Sequence, residues 1–256
     1  MPVTADAGIR EALAGDEFEL VFQPRTRLAD CRLSRVEALV RWRHPVDGLL
    51  LPEAYLPAIE RLGLMRELTL KVLELALAQA AEWGRLGMHT PVVVSLPLTC
   101  LHDDELVVDL VRALCRHGVD ARLLTLEVAE AAVMADPHRS SERISELKRT
   151  GVGIALADFG VGQTSLTHLR HLELDELKVD ASFVAGMAVD ERDAAIVRMI
   201  VQMGREMRLR VAAEGVRDLR AWAMLDQFGC DEAQGFWLSR PVDADMLTSI
   251  LRAQER

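Results

Sequence analysis

A closed (β/α)8 barrel interrupted by one antiparallel strand is the fold the sequence predicts, on three observations. The first is a recurring unit: an amphipathic helix, a glycine, a few residues, then a short apolar run ending in a polar residue. Arg85-Leu86-Gly87 precedes PVVVSL and ends near Ser95; His117-Gly118 precedes LLTLEVAE and ends at Glu127 and Glu130. Thr150-Gly151 precedes VGIALAD and ends at Asp158, and Phe228-Gly229 precedes CDEAQG. Glycine just past a helix end supplies a left-handed cap, so these glycines mark helix stops. The second observation is that the following runs are apolar on both faces, as strands of a buried parallel sheet are. The third is that nearly every run ends in a polar group: Ser95, Glu127, Asp158, Asp180, Glu214 and Gln234. Alternation of strands and helices over this length also fits a doubly wound sheet. A barrel gathers all the strand ends on one face, whereas a doubly wound sheet spreads them along an edge.

The elements follow in order. Residues 19–24 (ELVFQP) and 32–42 (RLSRVEALVRW) are strand-like runs with only a turn-rich stretch between, which predicts a hairpin and hence the antiparallel strand. Helical spacing predicts helices over 66–83, 138–149 and 190–207, the last behind an Asp190 cap. In that last helix Ile196, Met199, Ile200, Met203 and Met207 form a stripe. It reads either as core or as the face of a homodimer. Two further strands are expected at ELKVD (176–180) and RLRVAAEG (208–215). The whole chain, 1–256, reads as one barrel domain with its core over about 18–245.

Composition narrows the function classes. Half of the 256 residues are hydrophobic and 27% are charged, with a net charge of −10, which excludes a disordered chain. The acidic balance argues against bulk nucleic-acid binding, which needs a basic footprint. Aromatics at 4% supply few stacking platforms for single strands. Cys31, Cys100, Cys115 and Cys230 lie far apart with no CxxC pair, which reads as buried or half-buried thiols in a reducing compartment. The acidic N-terminal stretch does not resemble a signal peptide, and no apolar run approaches the ~20 residues of a membrane span. A cytoplasmic protein, with no membrane partner, is the expectation. His168 and His171 share a helix face, but no acidic or cysteine partners lie nearby, and a solvated face is the expectation.

Within RVEALVRW, alternation puts Glu37, Leu39 and Arg41 on one face and Val36, Ala38, Val40 and Trp42 on the other. If that first face looks into a barrel, its charges need a partner, a metal or a ligand. The pattern alone also fits a surface ribbon with solvated Glu37 and Arg41. Arg32, Arg35, Arg41 and Arg43 form a basic cluster, of which some members could serve a phosphate-bearing ligand and the outer ones would be solvated.

With Glu37-Ala38-Leu39 followed by VRWRHP, the sequence resembles the EAL domain family, bacterial cyclic di-GMP phosphodiesterases and their inactive relatives. The resemblance runs from about Phe18 to Pro241 through FQP (22–24), LEVAE (126–130), DFGxG (158–162), LKVD (177–180), AEGV (213–216) and QGFWLSRP (234–241). It implies a modified (β/α)8, TIM-like barrel with one antiparallel strand. It also implies hydrolysis of cyclic di-GMP to pGpG by water activated on Mg²⁺ or Mn²⁺, hard cations that prefer oxygen ligands. By position, the metal shell would be Glu37, residue 95, Glu127 and residue 157, with Asp158 and Lys178 beside a second metal or water. Glu214 would be the base and Glu130 would brace the DFG loop. Arg41 would clamp phosphate, and Gln23 and Leu39 would line the nucleotide cleft with Asp180, Glu214 and Gln234 to Pro241.

The sequence departs from the active pattern at two ligands. Where active members read VNLS, this chain has Val94-Ser95-Leu96-Pro97; where they read DDFGTG, it has Ala157-Asp158-Phe159-Gly160-Val161-Gly162. Gln163 replaces a usual aromatic. The methyl of Ala157 can neither coordinate nor carry charge, so the shell of Glu37, Glu127 and Asp158 is incomplete. The catalytic remnant (Glu214, Lys178, Asp158) is then expected to be insufficient. The leading expectation is a cyclic di-GMP receptor that signals through a protein partner and does not need the metal to bind its ligand. A metal-dependent phosphodiesterase and a protein-binding regulator without nucleotide are the alternatives.

Overall fold

The computed structural model describes residues 8–162 and 166–254; Gln163 lies outside them. The path begins with a short helix α1 (Ile9–Ala14), the hairpin β1 (Phe18–Arg27) and β2 (Leu33–His44), and a short β3 (Gly48–Leu50). Then come α2 (Pro52–Arg61), α3 (Met65–Arg85), β4 (Val92–Ser95), α4 (Leu98–Leu101), α5 (Leu106–His117) and β5 (Leu124–Ala129). Next are α6 (Glu130–Ala135), α7 (Pro137–Lys148), β6 (Gly153–Phe159), α8 (Leu166–Leu169), β7 (Glu176–Val179), α9 (Ala181–Gly186) and α10 (Glu191–Glu206). The chain finishes with β8 (Arg210–Ala213), α11 (Leu219–Phe228), β9 (Glu232–Ala233) and α12 (Ala244–Gln254).

Strands β1, β9, β8, β7, β6, β5, β4 and β2 pair in that order, and β1 pairs back to β2, so the sheet closes. β1 is antiparallel to both its neighbours, and the other neighbouring pairs of the ring are parallel. β3 hangs on β2 outside the ring. This is the interrupted barrel that the sequence predicts. The helix stops are also where the glycines place them: Gly118 and Gly229 are left-handed caps of α5 and α11.

The apolar core lies between the strands and the helices. Outward residues Val92, Val94, Leu124, Leu126, Ile154, Leu156, Leu177 and Val211 are buried with Leu73, Leu77, Leu110, Ile144, Val197 and Leu225 of the helices. The last helix, α12, packs beneath β1 through Leu247 and Leu251, and Trp83 donates to Thr248 Oγ1 at 3.0 Å.

The stripe on α10 lies largely on the core, one of its two expected readings: Ile200 is buried and Ile196, Met203 and Met207 pack against it, and only Met199 departs. The buried residues are Ala194, Val197, Ile200, Val201 and Gly204, whereas Met199 is 63% exposed. Ile200 lies in the core, and its Cδ1 is 3.3 Å from where a Cβ on Gly160 would stand. Ile200 therefore cannot be a dimer contact, and a charge there would break the fold rather than split a dimer. Two of the cysteines also differ: Cys31 and Cys115 are exposed, and only Cys100 and Cys230 are buried.

Inside the ring the filling is ionic. Thr125, Glu127, Glu176, Lys178, Glu232 and Gln234 alternate inward with the small residues Val93, Ala155 and Ala212, and all are buried. Arg25, fully buried, enters from β1. It pairs with Glu176, lies 3.3 Å from Glu127 and 3.8 Å from Glu37, and donates Nε to Gln234 Oε1 at 3.2 Å. Below it, Arg35 meets Glu232 at 3.0 Å and Glu176 at 3.4 Å. Arg35 is thus a buried member at the barrel's floor, neither solvated nor near the strand ends that form the mouth. Burial alone would push Glu176 upward, but the charges of Arg25, Arg35 and Arg210 outweigh it and hold the carboxyl below its ordinary range.

Removing one partner from such a network leaves an uncompensated buried charge. Arg25→Ala should destabilise the fold by about 3–5 kcal/mol at pH 7. The loss should shrink at pH 5, where the orphaned carboxyls can take protons. Urea unfolding at both pH values measures this.

Candidate functional site

The mouth of the barrel is where the parallel strands end, and each end delivers one side chain. Gln23 on β1 stands directly opposite Glu37 on β2, and Val21 and Glu19 stand opposite Leu39 and Arg41. Leu39 and Arg41 are half-buried at the upper end of the face that carries Glu37. The Arg41 guanidinium donates to the carbonyl of Val40 at 2.8 Å, and no ion pair among the described residues engages it. Gln234 donates Nε2 to Glu37 at 2.8 Å and to Gln23 Oε1 at 3.0 Å, and Gln23 Nε2 donates to the carbonyl of Ser239 at 3.1 Å. The segment from Gln234 to Pro241 folds back so that Val242 bridges Phe22.

Lys178 is the centre of this arrangement. Its Nζ lies 3.0 Å from Glu37, 2.8 Å from Glu127 and 2.9 Å from Glu214, and its side chain is 3% exposed. Burial disfavours the ammonium, but the three carboxylates outweigh that and raise its pKa well above the ordinary value. The two glutamates it joins respond differently. Burial would raise Glu37, but Lys178, Arg25 and the hydrogen bond from Gln234 overcome it and hold Glu37 at about 2. Burial and the charge of Glu37 push Glu127 up to about 7 in spite of Lys178 and Arg25. Glu37 also accepts a hydrogen bond from Gln234, whereas Glu127 carries the repulsion of the ionised Glu37 beside it.

A second group lies higher in the mouth. The β6–β7 register slips between Leu156 and Phe159, and Asp158 takes φ +54°, a left-handed conformation that aspartate tolerates better than most residues. The kink leaves Asp158 beside Asp180 and Glu214, with one carboxylate oxygen from each within 4.8 Å of the others. Burial, then the charges of Glu214 and Asp180, raise the Asp158 pKa. Glu130, at the start of α6, is buried and accepts the Gly160 N–H at 2.8 Å, so it ties the loop after β6 to β5.

The first metal shell implied by the family resemblance does not fit. Glu37 and Glu127 already hold an ammonium, Ala157 is a buried methyl, and Ser95 is an exposed neutral hydroxyl. Asp158, Asp180 and Glu214 do offer the hard oxygen atoms that one Mg²⁺ or Mn²⁺ would take. The structure therefore brings Gln23, Glu37, Glu127, Lys178, Glu214 and Gln234 into one cluster, with Asp158 and Asp180 joined to it through Glu214.

Sequence reading missed Arg25, Glu176 and Glu232, and misjudged Arg35. Each stands two residues from one that was recognised: Arg25 after Gln23, Arg35 before Glu37, Glu176 before Lys178, Glu232 before Gln234. The period of two that found the mouth continues downward, and following it would have found the floor.

A carboxyl held protonated to about pH 7 in the fold, against 4.5 ordinarily, contributes stability that is complete below 4.5 and lost as pH rises through 7. For Glu127 that contribution is on the order of 3 kcal/mol. Glu127→Gln should therefore match the wild type in urea stability near pH 5 and exceed it at pH 8. Parallel stability curves would contradict the assignment.

Comparison with known proteins adds three findings. The family model described as EAL domain matches residues 6–241. The bifunctional diguanylate cyclase/cyclic di-GMP phosphodiesterase MucR of Pseudomonas aeruginosa is 38% identical over 241 residues, which is 93% of this chain and 35% of MucR. The cyclic di-GMP phosphodiesterase NbdA of the same organism is 37% identical over 96% of this chain and 31% of its own length. This chain thus spans about a third of the length of these relatives. Among solved structures, the PaMucR phosphodiesterase in complex with c-di-GMP superposes with a TM-score of 0.90 at 37% identity, covering 94% of this chain and 98% of that one. The c-di-GMP-bound EAL domain of FimX from P. aeruginosa, at 24% identity and a TM-score of 0.86 over 93% of this chain and 96% of that one, shares the fold. With the family model matching nearly end to end on an interrupted barrel, this chain belongs to the EAL domain family.

Proposed function

We propose that this chain is a degenerate EAL domain that binds cyclic di-GMP as a receptor, with little or no hydrolysis. The observation that carries the reading is the loss of a carboxylate at Ala157, a buried methyl, together with the neutral hydroxyl of Ser95 at the other departed position. A metal-activated water has no complete shell there, while the groups suited to a cyclic dinucleotide stay available. Arg41 presents a planar fork that can meet two phosphate oxygens at once. Leu39 beside it offers an apolar contact for a purine. Gln23 and Gln234 are locked in one amide orientation by the chain of hydrogen bonds from Arg25 to Ser239. The protein is acidic overall, so affinity comes from these local donors rather than from long-range attraction. A divalent ion on Asp158, Asp180 and Glu214 would supply positive charge facing the ligand's phosphates and is not needed for binding.

The Asp158, Asp180 and Glu214 cluster favours a second reading, a metal-dependent phosphodiesterase of residual activity. A homodimer and a protein partner belong to the receptor proposal. On α10, the outward face that such a contact could use centres on Met199 and excludes Ile200.

Two measurements test the proposal. Release of pGpG with Mn²⁺ present should be at least ~100-fold below an ordinary enzyme's about 1–10³ per second. Turnover within that ordinary range would establish the enzyme instead. Arg41→Ala should weaken cyclic di-GMP binding by about 10- to 150-fold, the span of a hydrogen bond to a charged group. An unchanged affinity would place the ligand elsewhere, and no binding by the wild type would favour a regulator that has lost nucleotide.

A further inference from the structure

Arg41 is without an ion pair although an acid stands directly across from it. Glu19 on β1 is its cross-strand partner. Opposite charges so placed, with Cβ atoms about 4.5–5.5 Å apart, ordinarily join. Here Glu19 turns to a different arginine: its Oε2 accepts from Arg43, from Nε at 3.1 Å and from Nη2. Arg43 lies two residues further along β2, on the same face as Arg41 and diagonal to Glu19, a span that a long side chain covers. The neighbouring acids of this hairpin end are engaged as well. Glu17 accepts from Trp42 Nε1 at 2.9 Å, and Asp47 meets His44 at 3.1 Å. The bond that Arg41 does make, from Nη1 to the Val40 carbonyl, uses a neutral acceptor and leaves most of its fork of donors unspent.

We infer that Arg43 is a positioning residue for the ligand's phosphate: by holding Glu19 it keeps that carboxylate off Arg41 and leaves the Arg41 guanidinium open to an anion. This role rests on the receptor reading of the cleft. Without Arg43, the cation directly across from Glu19 is Arg41. A phosphate would then have to displace a carboxylate and sit beside its uncompensated charge. The Arg43 side chain is 67% exposed and that of Glu19 32%, so the pair is a weak one and its effect on the ligand is modest. The two arginines of one strand face thus divide the work: the inner one meets the phosphate and the outer one clears the acid from its path.

The test is a double-variant cycle on the wild type, Arg43→Met, Glu19→Gln and the two combined, read by calorimetry with cyclic di-GMP in EDTA. Arg43→Met should weaken binding by about three- to fivefold, near the upper limit for an exposed pair. The same change in the Glu19→Gln background should leave affinity within about 1.5-fold. An equal loss in both backgrounds would overturn the inference, since Arg43 would then act on the ligand by its own charge. No loss with Glu19 in place would overturn it too. A second readout needs no nucleotide: the Arg41 Nε–H signal in NMR, assigned by its disappearance in Arg41→Ala. It should shift in Arg43→Met, and in the combined variant it should stand where it does in Glu19→Gln. A signal that Arg43→Met leaves in place contradicts the sequestration of Glu19. If the wild type binds no cyclic di-GMP, the receptor reading fails by that result, and the Arg41 signal still decides whether Arg43 holds Glu19 away.

Discussion

Burying charge in a protein interior is tolerated only when every charge is met, and this barrel is built around that constraint. Arg25, Arg35 and Lys178 enter the ring from three strands and are met by Glu37, Glu127, Glu176, Glu214 and Glu232. Small residues on β4, β6 and β8 give the long cationic side chains their room. Outside the ring, the apolar layer between strands and helices supplies the stability that ion pairs in an interior do not reliably add. The network fixes geometry instead: it holds Glu37, Gln234 and Gln23 in single orientations at the mouth.

The polarity of the network runs from floor to mouth. At the floor, Glu176 is shared by three arginines and stays charged. Midway, Glu37 is firmly ionised while Glu127 holds its proton to about pH 7. At the mouth, Asp158, Asp180 and Glu214 form an acidic rim, and Arg41 makes no ion pair among the described residues. In the proposed receptor, a phosphate-bearing ligand meets the Arg41 guanidinium first, with the charge of Lys178 offsetting the acids behind it.

Much of this was legible in the sequence because it is carried by short-range rules. Glycines past helix ends and runs apolar on both faces located the parallel strands, and the short spacing between FQP and EAL located the antiparallel one. The strand ends named the mouth. What was not legible depended on three dimensions. Sequence periodicity placed Met199 on one stripe with Ile200, but Met199 is exposed, while Val197, Val201 and Gly204, outside that stripe, are buried, Gly204 so close to Val211 that a Cβ there would meet it. Arg35 reads as one arginine of a cluster until the closed ring sets it beside Glu176 and Glu232. That Lys178 bridges Glu37, Glu127 and Glu214 follows only from closure, since these residues are far apart in the chain.

The central claim is that positive charge built into the barrel does the work that a first divalent ion would otherwise do for a phosphate ligand. The most direct measurement is the dissociation constant of cyclic di-GMP by calorimetry, taken once in excess EDTA and once in excess Mn²⁺. The account expects saturable binding in both, with constants within about threefold of each other. Binding that appears only with Mn²⁺, or weakens by about tenfold or more in EDTA, would contradict it.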